Sequence, residues 1–165
     1  MMNKKVIAVA LALVLAGGGY AQNDASGKRV KAYMVSDAHL DTQWNWDLTH
    51  TIREYIPRIL FQNLWMLERY PDYKFNFEGG IIYRWMKEYY PLHYARLQKY
   101  IDEGRWHISG ASWNANDPNM PSAESFFRNI LLGQEFYKKE FGVRSTDIFL
   151  PDCFGFVASM PSVLA

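Results

Sequence analysis

The sequence predicts an α/β chain, short strands alternating with helices around a parallel sheet, and three observations carry that reading. Strand-length apolar or alternating segments recur at residues 30–35, 73–77, 105–110 and 146–150. Between them lie longer stretches whose apolar residues repeat every three or four positions. Each connection is long enough for a helical crossover, which makes successive strands parallel. The resulting order, β-α-β-α-β-α-β, fits half of a closed barrel or part of an open sheet. No repeat, low-complexity tract or internal linker interrupts it.

Residues 1–21 read as a secretory signal peptide. Lys4 and Lys5 form the basic start, residues 6–16 are apolar but too short for a typical membrane span, and Gly19 and Ala21 are small residues where a signal peptidase reads. Residues 22–29 form a polar, flexible lead-in, and one α/β domain is expected over 30–165. The first strand, 30–35, is followed by a helix over 49–70. Ile52, Ile56, Ile59, Leu60, Leu64 and Leu67 form its apolar face, Asn63 is a polar member of the same stripe, and Pro57 marks a restart or kink. Pro71-Asp72 ends it. The second strand, 73–77, runs into Glu78-Gly79-Gly80.

A helix over 81–101 follows, with Trp85, Met86, Tyr89, Leu92, Leu97 and Tyr100 among its apolar positions, and Pro91 divides it in two. Glu103-Gly104 closes it before the third strand, 105–110, and the loop 111–121. Ser122 caps the next helix, which has Glu124 and Ser125 in its first turn and ends at Phe141-Gly142. The fourth strand, 146–150, leads to Pro151-Asp152-Cys153-Phe154-Gly155, and a further helix starts near Ala165. Trp65, Trp85 and Trp106 are expected in the core.

Each strand ends in a polar loop, and parallel α/β architecture brings such loops out on one edge. Asp37, His39 and Asp41 follow the first strand, Glu78 the second, Asn114, Asn116 and Asp117 the third, and Asp152 the fourth. His39 and Asp41 are two residues apart, so in extended chain both point to one side, where they suit a divalent metal or a plain hydrogen-bonded pair. By residue type alone that metal is zinc, manganese or cobalt. Trp44 offers an apolar wall or a sugar-stacking face, and an aromatic content of 16% fits a carbohydrate cleft as well as a core. Glu78 divides evenly between a structural role and orienting a metal ligand. His50, His93 and His107 have no ligand partners nearby in sequence and read as structural or exposed. Leader cleavage removes two of the 18 basic side chains and none of the 17 acidic ones, leaving a charge near −1 that points away from nucleic acid. Cys153 is the only cysteine, so no internal disulfide supports the fold, and nothing beside it activates a thiol.

Taken together, residues 31–164 resemble glycoside hydrolase family 38, the zinc-dependent α-mannosidases. The resemblance rests on ordered blocks: Ala38-His39-Leu40-Asp41-x-x-Trp44, Phe77-Glu78-Gly79, Gly104-Arg105-Trp106, Ser112-Trp113, Asp117-Pro118-Asn119-Met120-Pro121-Ser122-x-Glu124-Ser125, Gly133-Gln134-x-Phe136, Glu140-Phe141-Gly142-Val143-Arg144 and Leu150-Pro151-Asp152-x-Phe154-Gly155. It implies the N-terminal part of a parallel (β/α) barrel with about four βα units present. It implies zinc held by His39, Asp41 and Asp152, with Asp152 also the catalytic nucleophile, and substrate contacts from Trp44 and Asp117. A fourth zinc ligand and the general acid/base are expected beyond Ala165, so the isolated chain is expected to be marginally stable, weak in zinc binding and without turnover. The chain departs from many members at Ala115, where they carry Glu.

The activity implied is hydrolysis of terminal non-reducing α-D-mannose from glycans by retaining double displacement. The location implied by the leader is periplasmic or extracellular, with no membrane association after cleavage. Two other readings compete. A metal-dependent polysaccharide deacetylase would use similar ligands to activate water, but needs no nucleophilic Asp in the Pro-Asp-x-Phe-Gly block. A non-catalytic sugar-binding module would need only the aromatic cleft.

Overall fold

The structure, a computed structural model, describes residues 31–164. The leader at 1–21, the lead-in at 22–29 and Val30 lie outside the described residues. The chain divides at Val35 into two units. The account below concerns the second.

Its centre is a three-stranded parallel sheet in the order β1 (Ser36–Ala38), β2 (Phe75–Phe77), β3 (Trp106–Ile108). The register is flush: Ser36 pairs with Phe75 and Phe75 with Trp106, while Ala38 pairs with Phe77 and Phe77 with Ile108. All three strands therefore end level, and the next residue of each, His39, Glu78 and Ser109, leaves from the same edge. The first strand lies later than the expected 30–35. Among the described residues 31–35 have no ladder partner, and Val35 is exposed. Apolar composition alone does not make a strand there, because pairing begins only where β2 offers donors and acceptors, Ser36 N–H donating to Lys74 O at 3.2 Å.

Helices pack on this sheet and bury its aromatic centre. Asp47 caps α1 (Leu48–His50), its Oδ1 accepting the His50 N–H at 2.8 Å, and a π-helical turn, Thr51–Tyr55, leads into α2 (Ile56–Arg69). Pro57 sits in the first turn of α2, where a missing N–H is tolerated, so the expected restart is a change of helical winding. Ile56, Leu60, Asn63, Leu64 and Leu67 are the buried face of α2. Asn63 is satisfied there by donating to Ile59 O at 2.8 Å and accepting the Tyr73 hydroxyl at 2.7 Å. Trp65, expected in the core, is exposed because it lies next to that stripe rather than on it, and it meets Tyr70 edge to face.

The second helical stretch does divide, into α3 (Gly80–Tyr89) and α4 (Pro91–Asp102), with Tyr90 between them at φ −131° and ψ 50°. A residue before proline is disfavoured in the helical region, and that turn leaves Tyr89 and Leu92, both expected as apolar-face residues, exposed. Trp106, Tyr83, Phe75, Phe77 and Tyr137 are fully buried. The Tyr83 hydroxyl accepts from Trp106 Nε1 and donates to Phe77 O, both at 2.9 Å, so the aromatic core has its polar atoms paired. Arg105 closes the C-terminal end of α2 by donating to Leu67 O and Tyr70 O at 2.7 and 2.6 Å. Helix α5 (Ala123–Phe141) starts at Ser122, whose Oγ accepts the Ser125 N–H at 3.2 Å, and stops at Gly142, which takes φ 73°.

The fourth strand expected at 146–150 is absent among the described residues. A side chain occupies the place of the ladder: Asp147 Oδ1 accepts the Gly110 N–H at 2.6 Å and the Ser145 hydroxyl at 2.9 Å, and Oδ2 meets His107 Nε2 at 2.9 Å. With the next β3 donor consumed by a carboxylate, residues 146–150 run beside the sheet without joining it. His107 thus has a partner that sequence spacing did not suggest. A short helix, α6 (Met160–Leu164), follows.

Candidate active site

The level sheet edge places the first polar loop, and side-chain ties bring the last one to it. His39 leaves β1 half-buried, with Nε2 3.3 Å from Asp41 Oδ1 and 3.9 Å from Asp152 Oδ2. One ligand atom from each of the three lies within 4.8 Å of the others. Two donors about 2.0–2.2 Å from a tetrahedral zinc ion stand roughly 3.3–3.6 Å apart; the His39–Asp41 separation of 3.3 Å falls in that range and the 3.9 Å to Asp152 lies just beyond it, so the imidazole and two carboxylates could hold a divalent ion. The expected ligands His39, Asp41 and Asp152 are thus neighbours although residue 152 is far along the chain.

Asp152 is positioned by side chains of the preceding loop. Asn119 Nδ2 donates to Gly155 O at 2.9 Å, and Cys153 Sγ donates to Asn116 O at 3.4 Å. Asn116 in turn bonds to Ser112 and Asn129, and Asn114 Nδ2 reaches Thr42 Oγ1 at 3.4 Å, joining the third loop to the first. The first loop is folded back by Thr51, whose hydroxyl donates to Thr42 O at 2.7 Å and accepts Trp46 Nε1 at 2.8 Å. Gly133 of α5 lets the third loop approach, since a Cβ there would lie 2.2 Å from Ala111 O.

On the other side of His39 stands Glu78, which is 4% exposed. Its Oε1 is 3.5 Å from His39 Nδ1, and neither carboxylate oxygen has a hydrogen-bond partner among the described residues. Glu78 beside it, and then Asp41, hold the His39 imidazole above its usual value against the opposing effect of burial. Burial pushes the Glu78 carboxyl up, and His39 offsets only part of that. Sequence reasoning left Glu78 undecided; the in-register pairing of Ala38 with Phe77 is what makes residues 39 and 78 neighbours.

Asp41, Gln43, Trp44, Asp152 and Phe154 line a cleft of about 380 Å³ over this cluster. Trp44 is exposed and braced edge-on by Trp46, and Phe154 is exposed on the other flank. Apolar ring faces beside carboxylates match a sugar, which has apolar C–H faces and a hydroxyl rim. Asp117 does not line the cleft; its Oδ1 accepts the Asn119 N–H at 2.8 Å and shapes the turn that holds Asn119. Burial, then the charges of Asp117, Glu78 and Asp152, push the Cys153 thiol up, which keeps it protonated and unreactive. A separate cavity of about 180 Å³ between Phe126 and Met160 has no titratable lining residue.

Residues 29–165 match the N-terminal domain of the glycosyl hydrolases family 38. The chain belongs to that family. It is 36% identical over 139 residues to Alpha-mannosidase G of Dictyostelium discoideum, covering 84% of this chain and 13% of that protein. It is 33% identical over 132 residues to human Alpha-mannosidase 2C1, covering 80% of this chain and 13% of that one. The family 38 chain therefore spans about an eighth of the length of these curated relatives. The crystal structure of an alpha-mannosidase from Enterococcus faecalis V583 superposes with a TM-score of 0.68 at 26% identity, over 79% of this chain and 15% of that one. The parallel sheet and its helices are thus those of a family 38 N-terminal domain.

Proposed function

We propose that the protein carrying this chain is a metal-assisted, retaining α-mannosidase that releases terminal non-reducing α-D-mannose from glycans. The observation that carries this reading is the convergence of His39, Asp41 and Asp152 on one point beside a Trp44-walled cleft, in a chain whose family relatives are named α-mannosidases. His39, Asp41 and Asp152 would hold zinc, with a further ligand expected beyond residue 165. When bound, zinc supplies Lewis-acid polarisation and a fixed point for sugar hydroxyls. We further propose that the three-stranded sheet is the first part of a closed (β/α) barrel, and that residues 1–21 export the protein to the periplasm or cell exterior.

The chain's own residues define the first half of the chemistry. Trp44 stacks on the mannose ring and excludes water from one face, and Asp41 accepts from its hydroxyls. Asp152 Oδ2 faces His39, which leaves Oδ1 to attack. As the bond from Oδ1 to the anomeric carbon forms, the glycosidic C–O bond breaks, and its electron pair stays on the leaving oxygen, which takes a proton from a second carboxyl group. That carboxyl, expected beyond residue 165, then removes a proton from water. The resulting hydroxyl displaces Asp152 from the anomeric carbon, and two inversions give net retention.

The test is hydrolysis of an aryl α-mannoside by the full-length protein, with the anomer first formed read by proton NMR. Activity is expected to vanish with chelator, return with zinc, yield the α-anomer first, and fall by at least about 10³-fold in kcat in Asp152→Ala. Turnover that survives both chelation and the substitution overturns the site. Release of acetate from acetylated glycans without mannoside turnover replaces the reading with a deacetylase. Export is checked separately by whether the N-terminus of the secreted protein begins at Gln22.

A further inference from the structure

We infer that Glu78 is the positioning residue of the metal centre. By accepting from His39 Nδ1, it fixes the ring so that Nε2 faces Asp41 and Asp152. This rests on the metal-binding reading above and deepens it by assigning a residue that touches neither the ion nor the substrate.

The inference stands on placement and burial. An imidazole that offers one nitrogen to a metal must carry its proton on the other, and a carboxylate beside that other nitrogen fixes both tautomer and ring plane. His39 has that division of faces, Nε2 toward Asp41 and Asp152 and Nδ1 toward Glu78. Nδ1 is itself buried and has no other partner among the described residues. A buried carboxylate with both oxygens unpaired is costly as a purely structural group, and among the described residues no Lys, Arg or backbone donor bonds to it. The fold also keeps the carboxylate in place. It leaves the end of the central strand β2, level with His39 at the end of β1, and Gly110 at φ +64° makes room, since a Cβ there would come within 3.3 Å of Glu78 Oε2. The 3.5 Å separation is at the long limit of a hydrogen bond.

The experiment measures zinc affinity of the full-length protein by competition with a chromogenic chelator, for wild type, Glu78→Met, Glu78→Gln and His39→Ala. Loss of a carboxylate that orients a ligating histidine weakens metal binding by about 10–100-fold, and that loss is expected for Glu78→Met, whose side chain keeps the volume without the acceptor. Glu78→Gln retains an acceptor oxygen and is expected between wild type and Glu78→Met. Cobalt-substituted protein gives a second readout, because a misaligned His39 changes the d–d absorption band. If His39→Ala loses zinc while both Glu78 variants bind as wild type does with unchanged spectra, the positioning role is overturned and the metal centre stands. If His39→Ala binds zinc as tightly as wild type, the metal reading itself falls. Should Glu78→Met not fold, Glu78→Gln decides alone: affinity and cobalt spectrum equal to wild type overturn the inference, and weakened affinity with a shifted band supports it.

Discussion

The two loops that carry the candidate metal ligands reach the same point from unlike foundations. His39 and Asp41 leave a strand whose backbone is paired in the sheet, next to a central strand whose Phe75 and Phe77 are buried under helices. Asp152 leaves a segment with no ladder, held by side chains: Asp147 against the end of β3, and Asn116 and Asn119 against the loop beyond. A paired strand shares its position with every residue of the sheet, whereas a segment tied by side chains depends on a few identifiable bonds. The histidine side of the site is therefore the rigid reference, and the Asp152 side is the part that single substitutions can move.

The largest effect should come from the rigid side. Phe77→Ala is expected to cost about 3–5 kcal/mol, as large aromatic truncations in closed cores do, while Ile148→Ala on the unpaired segment should cost less than about 1.5 kcal/mol. Thermal inactivation half-lives of the full-length variants give the comparison, and equal losses would show that residues 146–150 are as integral to the core as the sheet. Gly133→Ala comes next. Its Cβ would lie 2.2 Å from Ala111 O and 2.5 Å from Trp113 N, so the helix or the third loop must shift, at a cost of about 3 kcal/mol. That shift also drags Asn116 and Asn119, so kcat should fall along with stability, and intact activity would uncouple the loop from Asp152.

Asp147 tests the side-chain ties directly. Burial pushes its carboxyl up, but His107, the Gly110 N–H and the Ser145 hydroxyl outweigh that and hold it below its usual 3.8. A group lowered in the folded state contributes stability above its unfolded value and loses it as pH falls through the folded one. Asp147→Asn should therefore be less stable than wild type at neutral pH by about 1–2 kcal/mol, and the gap should close in acid below pH 3.8. Intrinsic fluorescence followed through an acid titration of both proteins reads this, and a gap independent of pH would mean the carboxylate's charge plays no part.

Those ties are also where the sequence was hardest to read. The alternation of strands and helices, the Ser122 cap, the division at Pro91 and the meeting of His39 and Asp41 with Asp152 all follow from local patterns or ordered blocks, which one chain displays by itself. Residues 146–150 have the composition of a strand, but a strand exists only if its neighbour has free donors, and Asp147 takes the one at Gly110. The beginning of β1 depends in the same way on where β2 begins. Trp65 carries the right apolarity one helical position off the buried stripe. Glu78 was visible as a carboxylate at a strand end, and only the register placed it behind His39 rather than in the cleft. Each of these depends on pairing partners distant in sequence, which a linear pattern does not encode.

The smallest expected effect is the sharpest probe of the Asp152 side. Asn119 bridges the third loop to Gly155 through one exposed hydrogen bond of 2.9 Å, three residues beyond Asp152. Such a bond is worth about 0.5–1.5 kcal/mol net, so Asn119→Ala should leave the thermal midpoint close to wild type. Spent on holding Asp152 in line with the anomeric carbon, the same energy corresponds to a loss of about 2–10-fold in kcat. Asn119→Asp should fall at least as far, because a carboxylate has no N–H to donate and repels the Gly155 carbonyl. Steady-state kinetics of both variants on an aryl α-mannoside would separate the cases: a kcat loss without a stability loss places the tie in the positioning of Asp152, and unchanged kcat in both would mean that the neighbouring Asn116 contact to Cys153 holds the loop alone.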